Sequence, residues 1–448
     1  QPQLDYYQVD TTMKKVILSM ALLLCVGTIM GQQDKAAIKQ AQKEAKAQMA
    51  EAKKIAEAIT AKVNEKTATD EEIITECKKG QAYIRKALNS GMIDEKKLGE
   101  AYKIYADLTQ FPNNTILGYV QKGQAFDTLY FFTNLKALTT ALQGEIKNTN
   151  VTKGETGNEN YLKSRKANLA QSANFYLFAA QLFSEGNKFD KALEAFETVM
   201  NYTQLYPEVD GQVKYQIPEE QIPYYAFHTA HEGKMYDKMD ALFDKAVLYT
   251  ENAAATKQVM VESFRERGDT VAWANYVRNM TIAEPKANES YIQMLIAYYL
   301  KKDKEAGAES NLMLPYVDEI IAKDPNVLIA HYGKAYKLFE SEKYDEAFEV
   351  YKKCTELKSD YYDAWYQCGL CKYRKALALN ATVSSIKNQI EAKKALEKTK
   401  ELFGEAIPYF EKARECTPNE PQKWAFELRQ CYTVTGQSEK AAEMDKLL

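Results

Sequence analysis

The stretch Asn326–Asp360 reads NVLIAHYGKAYKLFESEKYDEAFEVYKKCTELKSD, and its reading decides the fold. Its second half opens on an aromatic-acidic-charged-small tetrad, Tyr344-Asp345-Glu346-Ala347, and an amphipathic helical pattern lies before it. The tetrad returns as Phe189-Asp190-Lys191-Ala192, as Tyr236-Asp237-Lys238-Met239 and, without the aromatic, as Ser438-Glu439-Lys440-Ala441. A large apolar residue follows the small one by four, as in Phe196, Phe243, Tyr351 and, after Ala406, Phe410. Small residue and large residue therefore share one helix face. Proline stops follow at Glu284-Pro285, Asp324-Pro325 and Thr417-Pro418. The repeated unit is helix, tight turn, helix, stop.

This unit resembles the tetratricopeptide repeat, which carries Trp, Leu, Gly, Tyr, Ala, Phe, Ala and Pro at fixed offsets. Asn326–Asp360 supplies Tyr332-Gly333, Tyr336, Ala347, Tyr351 and Leu357, with two extra residues assigned to the inter-helix turn. The next unit supplies Trp365, Gly369, Ala406, Phe410, Ala413 and Pro418, and the last supplies Trp424, Leu428, Tyr432, Gly436 and Ala441. Weaker copies fit about 173–206, 219–250, 252–285 and 287–325. The resemblance implies an all-α, right-handed α-solenoid of stacked antiparallel helix pairs. In such a stack Gly333, Gly369, Ala347 and Ala406 let helices approach, and Tyr336, Tyr351 and Phe410 fill the space between turns, because neither helix buries its apolar face alone.

Composition agrees. The 448 residues include 19 Gly and 11 Pro, about 7% together where roughly 12% is usual, which favours long helices. No sustained period of two marks a strand. A net charge of −3 with no basic tract speaks against nucleic-acid or anionic-lipid partners.

Met13-Lys14-Lys15 and the apolar run Val16–Met30 read as a signal peptide cleaved after Gly31, residues 1–12 preceding the true start. Leu24 before Cys25 speaks against a lipid anchor. The expected location is exported, periplasmic first, with the cell surface or the medium as alternatives. Downstream, 32–70 reads as an Ala/Lys-rich lead-in helix whose thin stripe of Ile38, Met49, Ile55, Ile59 and Val63 buries little, which makes it a solvated lead-in or a weak docking element rather than core. Degenerate helix pairs follow at 71–146, a loop at 147–160, divergent repeats at 161–325 and clear repeats at 326–448. Trp365 and Ala406 stand further apart than the repeat allows, which places an insertion at about 376–402. Ile386, Ile390, Leu396, Leu402 and Phe403 fall near one stripe of it, so the second helix is expected to start about four turns early and project. It reads as a solvated helix or as a partner-docking arm.

Catalytic material is scarce. His228, His231 and His331 are the only histidines, and His228-Thr229-Ala230-His231-Glu232 lacks the spacing of the hydrolytic zinc helices, so it reads as structural rather than as a metal site or hydrolase centre. Cys368-Gly369-Leu370-Cys371 lies inside a helix pattern and reads as buried thiols, with a bridge from Cys354 to Cys368 or Cys371 as the alternative. No enzyme, cofactor or metal is expected.

Tetratricopeptide stacks hold peptides on a concave surface made by their first helices. Carrying those offsets over gives Ile292, Ile296 and Tyr299, then Lys334 and Lys337, then Asp363, Tyr366 and Tyr373, then Phe426. The resemblance implies a non-enzymatic scaffold for a protein or peptide segment, with other cell-envelope proteins among the partners. The alternative is a glycan-binding envelope protein that uses Tyr and Trp as stacking platforms.

Overall fold

The computed structural model describes residues 32–149, 156–307 and 310–448, so the signal-peptide reading lies outside the described residues. These form nineteen α-helices and, among the described residues, no strand. The all-α class expected from the sequence is what these residues adopt. Two compact units divide within one helix, at Met260 and Val261.

The first unit holds α1 (Gln32–Asn64), α2 (Asp70–Asn89), α3 (Leu98–Gln121), α4 (Thr128–Asn148), α5 (Thr156–Glu185), α6 (Phe189–Met200), the short α7 (Tyr202–Leu205), α8 (Gln221–Glu232) and α9 (Tyr236–Ala246). Helix α10 (Ala253–Glu266) spans the boundary. The second unit continues with α11 (Thr270–Ala283), α12 (Glu289–Ala306), α13 (Met313–Lys323), α14 (Leu328–Glu340), α15 (Tyr344–Leu357), α16 (Tyr362–Val383), α17 (Gln389–Cys416), α18 (Ala425–Thr435) and α19 (Ser438–Asp445).

Five inter-helix turns share one backbone device. Asn187, Lys234, Gly268, Glu342 and Gly436 each take a positive φ, between 55° and 81°, two residues before the next helix. The following amide then donates back across the turn: Lys188 to Phe183, Met235 to Ala230, Asp269 to Phe264, Lys343 to Leu338 and Gln437 to Tyr432, at 2.8–2.9 Å. This is the left-handed helix cap that satisfies a terminal carbonyl while reversing the chain. The turn at Glu342 matches the others, so the two extra residues read into it lie in the helices.

The lead-in helix is not a solvated rod. Ala45, Met49, Ala52, Ala56 and Ile59, spaced alternately four and three apart, are buried, and α1 packs on α2. Alanine is itself the contact residue here, since a methyl-sized side chain lets two backbones approach. The expected loop at 147–160 is also shorter, because α4 runs to Asn148 and α5 starts at Thr156.

In the second unit the repeat-packing residues divide. Gly333, Ala347, Tyr351, Gly369, Ala406, Phe410 and Ala441 are buried, and Pro418 is exposed after the end of α17. Tyr336 is 36% exposed and does not fill the core. Tyr332, one turn earlier, does so instead: its ring lies 5.4 Å from Tyr351 and 5.6 Å from Tyr361. A Cβ on Gly369 would sit 2.8 Å from the Phe410 ring, which is 0% exposed and has nowhere to move. Overpacking costs about 1–3 kcal/mol and the helix-propensity gain over Gly recovers roughly 1. Gly369→Ala is therefore expected to lower stability by up to about 2 kcal/mol, read as a fall in the urea midpoint of the second unit.

Cys354, Cys368 and Cys371 are free and buried. Burial pushes the Cys354 and Cys371 thiols up to about 12, so they stay protonated and poorly nucleophilic at neutral pH.

The insertion is shared between two helices. α16 runs on to Val383, and α17 begins at Gln389, where the Asn388 side chain accepts from the amides of Ile390 and Glu391. Leu402 and Phe403 are buried, whereas Ile390 is 69% and Leu396 54% exposed. The projecting element is thus a hairpin, not a single early-starting helix.

Candidate functional site

Within the second unit the first helices of successive pairs touch one another, and so do the second helices. α12 packs on α14, and Tyr332 of α14 reaches Tyr361 at the start of α16. On the other side Phe348 of α15 meets Tyr409 of α17 at 5.2 Å. The face made by α14, α16 and α18 is the one on which the expected peptide contacts fall.

The structure spreads those residues over three environments. Ile292, Ile296 and Tyr373 are core: Ile296 fills the space beside Gly333, and Tyr373 packs on Phe403 and Phe410 while its hydroxyl donates to Gln430. Position along a helix fixed their side of it, and the helices packed against that side then covered it. Lys334 and Lys337 are committed to ion pairs, with Asp318 at 2.7 Å and Asp303 at 3.4 Å. Asp303 is 2% exposed. Burial pushes its carboxyl up, but amides of Leu312 and Met313, the Ser310 hydroxyl and Lys337 outweigh this and hold it below the ordinary carboxylate value. Lys337 therefore serves the start of α13. Tyr299 is half-buried, 5.4 Å from Tyr316.

Asp363, Tyr366 and Phe426 remain on an open face. Tyr366 is half-buried, stacked on Tyr362 at 5.6 Å with 21° between ring planes, and leans on Phe410 at 5.5 Å. Tyr362 donates to the Lys423 carbonyl at 2.6 Å, which ties α16 to the turn before α18. Phe426 is 47% exposed, and Tyr336 adds a further open ring. Burial pushes both hydroxyls up, and carboxylates add to it: Asp363, Glu427 and Glu420 at Tyr362, Glu427 at Tyr366. Neither Asp363 nor Glu427 takes part in a salt bridge among the described residues, and Arg374 is the cation acting on Tyr366. The face is aromatic, with Asp363 and Glu427 beside the rings, while Lys423 lies 5.4 Å from the Tyr362 ring centre and pairs with Glu420 at 2.7 Å.

Tyr362 and Glu427 were not singled out by the sequence pattern. Each is the immediate chain neighbour of a residue that was, Asp363 and Phe426, one on its N-terminal and the other on its C-terminal side, so the observed face is wider than the expected row.

The histidine pair lies on α8. His228 packs against Tyr224 and Phe227, with ring centroids at 4.5 and 5.3 Å. Among the described residues no group of three metal-ligating side chains converges.

No protein-family profile and no curated protein matches the sequence. Among solved structures, the chain is similar to the human IFIT1 dimer with m7Gppp-AAAA at 17% identity, covering 80% of this chain and 73% of that one, with a TM-score of 0.31. It is also similar to YrrB, a TPR protein with an unusual peptide-binding site, at 16% identity, covering 64% and 98%, with a TM-score of 0.20. A circular tandem repeat protein aligns at 11% identity over 97% and 94%, with a TM-score of 0.22.

Proposed function

We propose that the chain is a non-enzymatic binding scaffold that captures a polypeptide segment on the α14–α16–α18 face of its second unit. The observation that carries this reading is the open row of Tyr336, Tyr362, Tyr366 and Phe426 beside the carboxylates of Asp363 and Glu427, which no lysine or arginine bridges among the described residues. Aromatic rings offer large contact area at low entropic cost, and carboxylates beside them select cations. The favoured ligand is a segment in which Lys or Arg alternates with aromatic or branched aliphatic side chains. The leader at Met13–Gly31 supports an exported, periplasmic setting for this capture.

Selection of displayed random peptides against the full chain tests the reading. Basic-aromatic peptides are expected to be enriched, and the pair Asp363→Lys with Glu427→Lys is expected to weaken them about tenfold, or roughly 1.4 kcal/mol. Enrichment of acidic peptides, or equal binding by the charge-reversed variant, rules the reading out.

A further inference from the structure

A second site lies wholly within the first unit. Between α6 and α8 the chain takes a long path through residues 201–220, where most helix–helix connections in such stacks are short. That path is fixed in place. Asn174 of α5 donates to the Lys214 carbonyl at 2.8 Å and accepts from the Gln216 amide at 2.9 Å, and the Tyr215 hydroxyl donates to the Val199 carbonyl at 3.2 Å. Pinned this way, the segment around Ile217 forms a wall opposite α5 and α8. It closes a pocket of about 560 Å³, within the range of roughly 300–1,000 Å³ that small-ligand sites occupy.

The lining chemistry is selective. Leu177, Phe178, Phe196 and Ile217 make it apolar, and Tyr225, 43% exposed, adds a ring. Most polar groups are already used: Asn174 holds the wall, Gln181 donates to Glu185, and Ser184 and Thr229 face each other at 3.4 Å. The exception is His228, whose Nε2 is buried and has no hydrogen-bond partner. Burial, with His231 beside it, holds this imidazole below the ordinary histidine pKa, so it is neutral at pH 7. Glu232 is the only charged residue in the lining, and no lysine or arginine is there to balance an anion.

We propose that this pocket is a binding site for an aromatic group carrying a nitrogen that donates hydrogen bonds, with the ring among Phe178, Phe196 and Ile217 and the nitrogen directed to His228 and Glu232. The same chemistry is offered by a free aromatic amine and by an aromatic side chain next to a lysine in a polypeptide. This site is separate from the α14–α16–α18 face and stands or falls independently of it.

Ligand-observed saturation-transfer NMR and calorimetry on the full chain test it with three probes: tryptamine, indole-3-acetate, and the acetylated, amidated tripeptide Gly-Trp-Lys. Tryptamine or the tripeptide is expected to bind at least tenfold more tightly than the anionic indole-3-acetate. The tighter of the two identifies a free amine or a polypeptide as the source. His228→Phe is expected to weaken binding at least fivefold, and Glu232→Gln to abolish the discrimination against the anion. Ile217→Trp, which fills the pocket from the wall and alters no helix residue, is expected to block all three probes while the circular dichroism of the chain stays unchanged. Failure of both tryptamine and the tripeptide to bind, or binding that survives Ile217→Trp, overturns the proposal.

Discussion

Replacing Arg165 by methionine is expected to destabilise the first unit by about 3–5 kcal/mol at pH 7, the usual cost of leaving a buried charge without its partner. Arg165 joins three helices. Its Nη2 meets Asp107 of α3 at 2.6 Å, its Nε lies 2.9 Å from Glu145 of α4, and the same Nε donates to the Tyr161 hydroxyl of α5 at 3.0 Å. Tyr161 in turn donates to Glu145. The two charged side chains are only 10% and 1% exposed, whereas Asp107 is 35% exposed and water can solvate it again. Methionine keeps most of the aliphatic packing, so the loss isolates the charge.

The pH dependence follows from Glu145. Burial raises its pKa more than Arg165 and Tyr161 lower it, so in the folded chain it lies above the ordinary glutamate value. A carboxyl raised on folding stabilises while it is protonated, and that contribution disappears as the pH rises through the folded-state value. Without Arg165 the folded-state value climbs further. The deficit of Arg165→Met is therefore expected to be larger at pH 8 than at pH 5 in urea unfolding. An equal deficit at both would mean that shape, not charge, is what Arg165 supplies.

Phe410→Ala is expected to remove about 3–5 kcal/mol from the second unit, the cost of deleting a fully buried aromatic side chain. Phe410 is 0% exposed and touches three elements of the account at once: the backbone at Gly369, the Tyr366 ring at 5.5 Å and the Tyr373 ring at 6.2 Å. Losing it leaves the floor under Tyr366 empty, so peptide binding should weaken together with stability. Gly369→Ala in the Phe410→Ala background should cost far less than in the parent chain, because the added methyl then enters the vacated space. A double-mutant cycle in denaturant measures that coupling.

The helix pairs were legible because their signals are local. An aromatic-acidic tetrad and a small residue four before a large one report on a single helix and its nearest partner. What was hidden depends on neighbours distant in the chain. Tyr336 and Tyr332 sit on the same helix, and only the placement of Tyr351 and Tyr361 decides which of them is core. Ile292, Ile296 and Tyr373 looked open but are buried by helices packed against them, Tyr373 by Phe403 and Phe410 of α17. The alanines of α1 looked too small to be core, yet spacing rather than size made them contacts. Left-handed turns at Asn187, Lys234 and Glu342 place no glycine at the positive-φ position itself. Asp107, Glu145 and Arg165 form no motif, and the wall pinned by Asn174 joins residues forty positions apart.

The most direct measurement places a benzophenone amino acid at Phe426, on the α14–α16–α18 side, or at Lys353 on α15, and irradiates each protein with a pool of basic, aromatic-rich random peptides. Peptide adducts at Phe426 and none at Lys353 are the result predicted. Adducts at Lys353 as abundant as those at Phe426, or none at either position, would contradict the account.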